Sequence, residues 1–389
     1  MPRLSLSIAI ALLGCAQRNP SGSITVVNAA PSERHLRNVR QLTNGGENAE
    51  AYFSADGRQL VFQSSRDGRT CDHEYVMNVD GSALRRVSTG TGKATCGFFY
   101  SNDQRILFGS SHALQTACPA KPDPSKGYVW GLDPFDIYTA RTDGSDLKRL
   151  TDYGVYTAEA VVSPDGKRIV FTSLKDGDLD IYTMNVDGTD VQRLTTTAGY
   201  DGGPWWSPDG TKIAYRAWHP VDSALGSYRE LLAQRLVRPN RMELWVMNAD
   251  GSGQRQITQL GGANFGPSWT PDGTRLIFSS NYLRPRSGNF DLFLVNLDGS
   301  GLEQVTTEES FDGFPMFSPA GRSLVWASNR NDAKPGETNL FIAEWAPSRS
   351  FPLRVPASPP PPRGRHPPRS CANWTPTRAC SVCRARSFP

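Results

Sequence analysis

The stretch "VSPDGKRIVFTSLKDGDLDIYTMNVDGTDVQRLT", residues 162–195, reads as four short strands separated by turns. Pro164-Asp165-Gly166 turns the first strand into the apolar second. A charged loop leads to the third, and Asp187-Gly188 turns it into a fourth that ends in Leu-Thr. Asp accepts nearby backbone N–H groups and Gly takes positive φ, so each Asp-Gly is read as a turn rather than a calcium ligand set. The opening recurs at Phe53 (FSADGRQLVF), Tyr100 (YSNDQRILF), Trp206, Trp269 and Phe317, with starts 47, 62, 44, 63 and 48 residues apart. The second half recurs as YVMNVDGSALRRVS, IYTARTDGSDLKRLT, LWVMNADGSGQRQIT and LFLVNLDGSGLEQVT, then breaks off as LFIAEW. Repetition at this period marks units that bury their faces only against one another.

Six four-stranded antiparallel units predict an all-β fold, a six-bladed β-propeller over residues 31–346. In its third blade the strands are expected at residues 158–163, 168–173, 180–185 and 191–194. The sixth unit supplies only three strands. Residues 35–46, HLRNVRQLTNGG, carry the same Leu-Thr ending and are expected to provide the fourth beside residues 340–345, leaving no open edge.

The two ends read differently from the repeats. Residues 1–15 hold Arg3, an apolar run and Leu12-Leu13-Gly14-Cys15, which reads as a secretory signal or as a lipoprotein signal with Cys15 lipidated. The run is too short for a permanent membrane helix. Residues 347–389 are rich in Pro and Arg. From Ala346 onward there are eight Arg and no Asp or Glu, so the formal charge of +4 for the whole chain hides −4 in the residues before Ala346. The tail is read as disordered, and its abrupt change of composition fits a frame-shifted translation. It lacks the interleaved pattern of a nucleic-acid binder, and Cys380-x-x-Cys383 with Cys371 and His366 falls short of a zinc site.

Alternating strand direction sends the second-to-third loops and the entries to the inner strands to one face, with the plain turns on the other. Insertions crowd the first face: SHALQTACPAKPDPSKGYVWGLDPF in blade 2 and WHPVDSALGSYRELLAQRLVRPN in blade 4, the latter with a helix expected at residues 227–236 bearing Leu231, Leu232 and Leu236. These two are expected to wall opposite sides of the central opening. The entries to the inner strands set Glu50, Thr95, Glu159, Asp201, Asn264 and Asp312 around the channel mouth. Groups repeated around a ring can converge on a ligand or a divalent cation, or can bond backbone where strands start. His112 and His219, in the same insertions, are the further candidates for metal or base.

Cys71 and Cys96 lie on this face in adjacent blades and are expected to form a disulfide, with Cys118 as the competing partner. No nucleophile elbow, His-Glu-x-x-His or phosphate-binding glycine loop occurs.

The core FSPAGRSLVWASNR, residues 317–330, and the Ser-Pro-Asp-Gly and Asn-x-Asp-Gly pairs of blades 3 and 4 resemble the repeats of TolB-like β-propellers. The resemblance covers residues 36–345 and specifies turns and packing. It implies an exported bacterial protein of the periplasm or outer membrane whose propeller mouth receives a partner, as the TolB mouth receives a peptidoglycan-associated lipoprotein. The N-terminal α/β domain of TolB has no counterpart in residues 16–35. Some TolB-like propellers are pectin-oligomer lyases with metal-binding histidines, and that ligand set does not map onto this sequence. The expectation is a monomeric, non-enzymatic propeller recognising an envelope protein or cell-wall ligand, without nucleic acid and touching membrane only through a lipid anchor. A metal-assisted glycan lyase or hydrolase using His112 or His219, or a structural relative, is the alternative.

Overall fold

The computed structural model describes residues 24–100 and 102–346, so Cys15 and the Pro/Arg-rich tail lie outside the described residues. The repeats form six antiparallel sheets arranged as the blades of a propeller. Blade 1 is Glu47–Phe53, Gln59–Ser65, His73–Asn78 and Arg85–Arg86. Blade 2 is Ala94–Tyr100, Arg105–Ser110, Asp136–Arg141 and Lys148–Arg149. Blade 3 is Thr157–Val162, Arg168–Ser173, Asp180–Asn185 and Gln192–Arg193, within two residues of the expected bounds. Blade 4 is Tyr200–Trp206, Lys212–Trp218, Glu243–Asn248 and Arg255–Gln256. Blade 5 is Asn264–Trp269, Arg275–Ser280, Asp291–Asn296 and Glu303–Gln304. Blade 6 joins Asp312–Phe317, Ser323–Ser328 and Asn339–Trp345 to Leu36–Gln41 and Thr25–Val26 from the start of the described chain.

The Pro-Asp-Gly segment acts as a turn. Asp165 Oδ1 accepts from Ser163 Oγ at 2.6 Å and Lys167 N at 3.1 Å, while Gly166 sits at φ 73°. Behind each turn the second strand carries one large aromatic: Phe62, Phe108, Phe171, Tyr215, Phe278 or Trp326, all fully buried. Each lies directly across the ladder from an aromatic of the third strand, as Phe171 does from Tyr182 at 5.6 Å between ring centroids. Blade 6 repeats the pairing with Trp326 and Phe341. Cross-strand aromatic pairs stabilise a sheet beyond the area they bury.

Apolar clusters fill the gaps between neighbouring blades. One joins Phe53, Phe62 and Met77 of blade 1 to Val325, Leu340 and Ile342 of blade 6. Another joins Ile277 and Leu292 of blade 5 to Leu36, Trp326 and Phe341 of blade 6. No blade has a core of its own, which is why the repeats fold only as a set.

The Leu-Thr ending has a geometric cause. The hydroxyl that ends each outer strand, Ser88 in blade 1 and Thr elsewhere, accepts from a backbone N–H at the start of the third strand. In blades 2, 3, 4 and 6 it also donates to the first side chain of that strand. In blade 3, Ile181 N donates to Thr195 Oγ1 at 2.9 Å and Thr195 Oγ1 to Asp180 Oδ1 at 3.1 Å. In blade 6 the same two bonds run from Leu340 N to Thr43 Oγ1, 2.9 Å, and from Thr43 Oγ1 to Asn339 Oδ1, 3.0 Å. Thr43 stands 296 residues from Asn339 in sequence and plays an identical part.

A buried ion pair fixes the same junction. Arg330, two residues past the second strand of blade 6, donates to Glu33 Oε1 at 2.9 Å and to Asp312 Oδ2 at 2.8 Å, and both acids are buried. Glu33 also accepts from Ala30 N and Thr307 N. Removing one member of a buried pair strands the other charge, so Glu33→Ala should lower the free energy of unfolding in urea by about 3 kcal/mol. A loss below about 0.5 kcal/mol would show that the segment is not anchored through this pair.

Candidate functional site

Every inner strand carries a β-bulge at the same level, between Ala49 and Tyr52, Thr95 and Phe98, Ala158 and Val161, Gly202 and Trp205, Phe265 and Ser268, and Gly313 and Met316. Inside each bulge one residue takes positive φ: Glu50 (52°), Cys96 (57°), Glu159 (59°), Gly203 (59°), Gly266 (60°) and Phe314 (55°). All six line one cavity of about 400 Å³ on the propeller axis. Glycine suits this backbone, and two blades use it. The other four blades hold a side chain in a conformation that costs about 1 kcal/mol or more per residue.

The polar wall is built by three of these positions and one second-strand residue. Arg216 forms an ion pair with Glu159 and donates to Tyr200 Oη through Nε at 2.9 Å and Nη2 at 2.7 Å. Glu159 Oε2 also accepts from Gly203 N at 2.8 Å, tying blade 3 to blade 4. A side chain at position 203 would collide with the Arg216 guanidinium. Glu50 faces this group and accepts from Tyr52 Oη at 3.3 Å. Burial pushes the Glu50 carboxyl up to about 7, opposed by Cys96 and reinforced by the charge of Glu159. Burial first, then the charges of Glu50 and Glu159, pushes the Cys96 thiol up as well. Cys96 is therefore a protonated, unreactive thiol at neutral pH.

Insertions from blades 2 and 4 roof the cavity. Trp130–Gly131 pairs antiparallel with Leu236–Val237, so the two expected walls meet as a ribbon. Trp130 lies over the Arg216 guanidinium, 5.2 Å from it, and edge-on to Phe265 of blade 5. The blade 4 helix runs Asp222–Leu232, five residues earlier than expected at its start, with Tyr228 buried and Leu225 and Leu232 packed beside it. Leu236 leaves the expected helix because it is recruited to the ribbon. Below, Trp205 packs against Tyr52 at 4.8 Å and Phe98 at 5.5 Å. This floor separates the cavity from an apolar funnel of about 490 Å³ on the plain-turn face.

Of the residues singled out from sequence, Glu50, Thr95 and Glu159 line the cavity. Asp201, Asn264 and Asp312 stand two residues before the bulge positions of their blades and are fully buried. Asn264 accepts from Ser280 Oγ at 2.6 Å and donates to the Met242 carbonyl at 2.8 Å; Asp312 accepts from Trp326 Nε1 at 3.1 Å and from Arg330. Asp201 is bonded to His219 Nε2 at 3.0 Å, and burial raises its carboxyl while His219 lowers it. His112 bonds Ser110 Oγ at 2.9 Å beside Tyr138, and burial lowers its imidazole. Among the described residues no three His, Cys, Asp or Glu side chains converge as a metal site, and neither histidine is among the residues lining the cavity.

The disulfide joins Cys71 to Cys118, not Cys71 to Cys96. Cys96 is turned into the channel by its positive φ, whereas the blade 2 insertion folds back over blade 1 and brings Cys118 to Cys71. Arg216 and Trp130 were missed. The signal for Arg216 is a charged residue within KIAYRAW, at the ladder position where other blades carry Gln63, Gly109, Thr172, Ser279 and Ala327. Among the described residues no helix is long and apolar enough to cross a membrane.

This geometry makes two outcomes testable. Peptide mapping without reduction should recover Cys71 linked to Cys118, and a Cys71–Cys96 peptide would refute the pairing. A carboxyl raised from about 4.5 to about 7 on folding contributes stability that is fully present below its unfolded pKa and lost as pH rises through 7. Glu50→Gln should therefore gain about 2 kcal/mol on the native protein in urea unfolding between about pH 5 and about pH 8. A difference independent of pH would place Glu50 in contact with bulk water.

The TolB beta propeller domain family matches residues 131–229 and 229–334, just over half of the chain. No curated protein sequence matches it. Among solved structures, the putative TolB from Agrobacterium tumefaciens is 20% identical with a TM-score of 0.51, covering 78% of this chain and 91% of its own. A gluconolactonase from Xanthomonas campestris is 14% identical with a TM-score of 0.54, covering 85% and 99%. An oligogalacturonate lyase from Vibrio parahaemolyticus is 13% identical with a TM-score of 0.50, covering 83% and 96%. At such identities these structures share the fold alone, and their differing activities leave it uncommitted. The two tandem family matches run from the blade 2 insertion into the second strand of blade 6 and its following loop, and the chain belongs to the TolB β-propeller family.

Proposed function

We propose that the protein is an exported, non-enzymatic binding propeller of the periplasm or outer membrane that takes part of an envelope protein or cell-wall ligand into its axial cavity. The observation that carries this reading is the ring of bulge positions: Glu50, Cys96, Glu159 and Phe314 keep side chains at positive φ where glycine would relieve the backbone. Strain retained at equivalent positions around one cavity is a mark of a functional surface. The volume, about 400 Å³, lies in the range of small-ligand sites, and the lining combines aromatic and other apolar residues with a few polar groups, as such sites do. A binding rather than catalytic role is supported by the wall itself. Arg216 and Glu159 neutralise each other, and burial beside Glu50 and Glu159 holds the Cys96 thiol protonated.

The reading is tested by titration calorimetry with soluble peptidoglycan fragments and with a purified peptidoglycan-associated lipoprotein. The probes are offered to the wild type, to Trp130→Ala and to Glu159→Gln/Arg216→Met, which removes both charges together. At least one probe should bind the wild type and lose about tenfold or more in each variant, with the melting temperature of Trp130→Ala nearly unchanged. Failure of both probes, or equal binding by all three proteins, would overturn the proposal.

A further inference from the structure

Beside the axial cavity lies a second, larger hollow of about 760 Å³ on the loop-rich face. Its walls come from the blade 4 insertion, which supplies Arg238 and Arg241, and from the blade 5 loop, which supplies Arg286. Phe290 and Phe311 give it an apolar floor, and none of its lining residues is an Asp or Glu. Tyr128 and Phe311 line both this groove and the axial cavity, so the two spaces share a wall.

The charge here runs against the molecule. The sequence before Ala346 carries a formal −4, yet three guanidinium groups line one groove. No carboxylate among the described residues lies within ion-pair distance of Arg238, Arg241 or Arg286. The contrast with the neighbouring Arg284, paired with Glu309 at 2.5 Å, is direct. Arg238 is held in place by donating to the carbonyls of Lys126 at 2.8 Å and Tyr128 at 3.3 Å, contacts that orient it without neutralising it. Arg286 sits at φ 73°, a strained conformation for a side chain of its size.

We propose that this groove binds a small organic polyanion, its acid groups held by Arg238, Arg241 and Arg286 and its body laid on Phe290 and Phe311. Guanidinium groups recognise carboxylate and phosphate in the same forked geometry, so the shared chemistry is the anion. Arginines reaching in from two elements suit a ligand with more than one acid group. The inference rests on the binding reading above and adds the charge of what is bound.

The test titrates the full chain with citrate, with glucose 1,6-bisphosphate and with uncharged maltotriose, at low and at physiological salt. Citrate and the bisphosphate separate carboxylate from phosphate as the source of the anion. At least one should bind about tenfold or more tightly than maltotriose and weaken as salt rises. Arg241→Ala/Arg286→Ala changes two exposed residues, so its fold should hold, and it should lose that preference. Anions bound no better than maltotriose, or an unchanged double variant, would overturn the groove. The Glu159→Gln/Arg216→Met variant separates the two proposals. If it binds anions as the wild type does while the arginine variant does not, the groove stands and a ligand reaching the axial cavity does not. If envelope probes bind but no anion does, the cavity stands and the groove falls.

Discussion

One backbone constraint governs the centre of this molecule: a bulge in every inner strand that forces a single residue into positive φ. A bulge inserts an extra residue on one side of a ladder and re-aims the side chains next to it. Repeated six times at one level, it directs six consecutive ring positions at the axis, and their identity sets the chemistry of the cavity. Gly203 and Gly266 leave space, Phe314 fills it, and Glu50, Cys96 and Glu159 make one arc polar. The space left by Gly203 is what lets Arg216 reach Glu159 across the blade boundary.

The periphery obeys a second rule, that polar groups at strand ends must be satisfied where water is excluded. The hydroxyl that ends each outer strand meets this need, and Thr43 meets it for a blade whose other strands lie far along the chain. Glu33 and Arg330 act at the same seam with full charges. Hydroxyl, carboxylate and the apolar contacts of Leu36 and Val39 all fasten the first described strands to blade 6.

Periodicity decides how much of this is legible in the sequence. The turns, the blade count and the crowding of one face are written in local repeats, and local chemistry is enough to decode them. The bulge is not, because it consists of a one-residue difference between two strands of a ladder. The polar residues of the strand entries mark the bulge correctly at Glu50 and Glu159, yet Asp201, Asn264 and Asp312 fall two residues too early, where they anchor strands instead. Trp130 is illegible for a different reason: its position depends on pairing between two insertions about 100 residues apart. The Cys71–Cys118 link fails to show for the same cause, since the fold of an insertion is not periodic.

Charge divides the loop-rich face into a cavity where cations and carboxyls stand together and a groove where cations stand alone. The axial cavity is lined by two carboxyls, Glu50 and Glu159, and two cations, Arg216 and Lys93, and because Glu50 is pushed up to about 7 the cavity loses positive charge as pH rises through neutrality. The neighbouring groove holds three guanidinium groups and no carboxylate among its lining residues. Trp130 stands on the cavity side, stacked over the one guanidinium present there, so the aromatic roof covers a charge already paired with Glu159 while the unpaired charges stay outside. Uncompensated cations at an entrance attract, and a compensated pair under a lid discriminates by shape and hydrogen bonds. The division of labour between these two spaces comes down to a single local choice: whether each arginine was given a carboxylate.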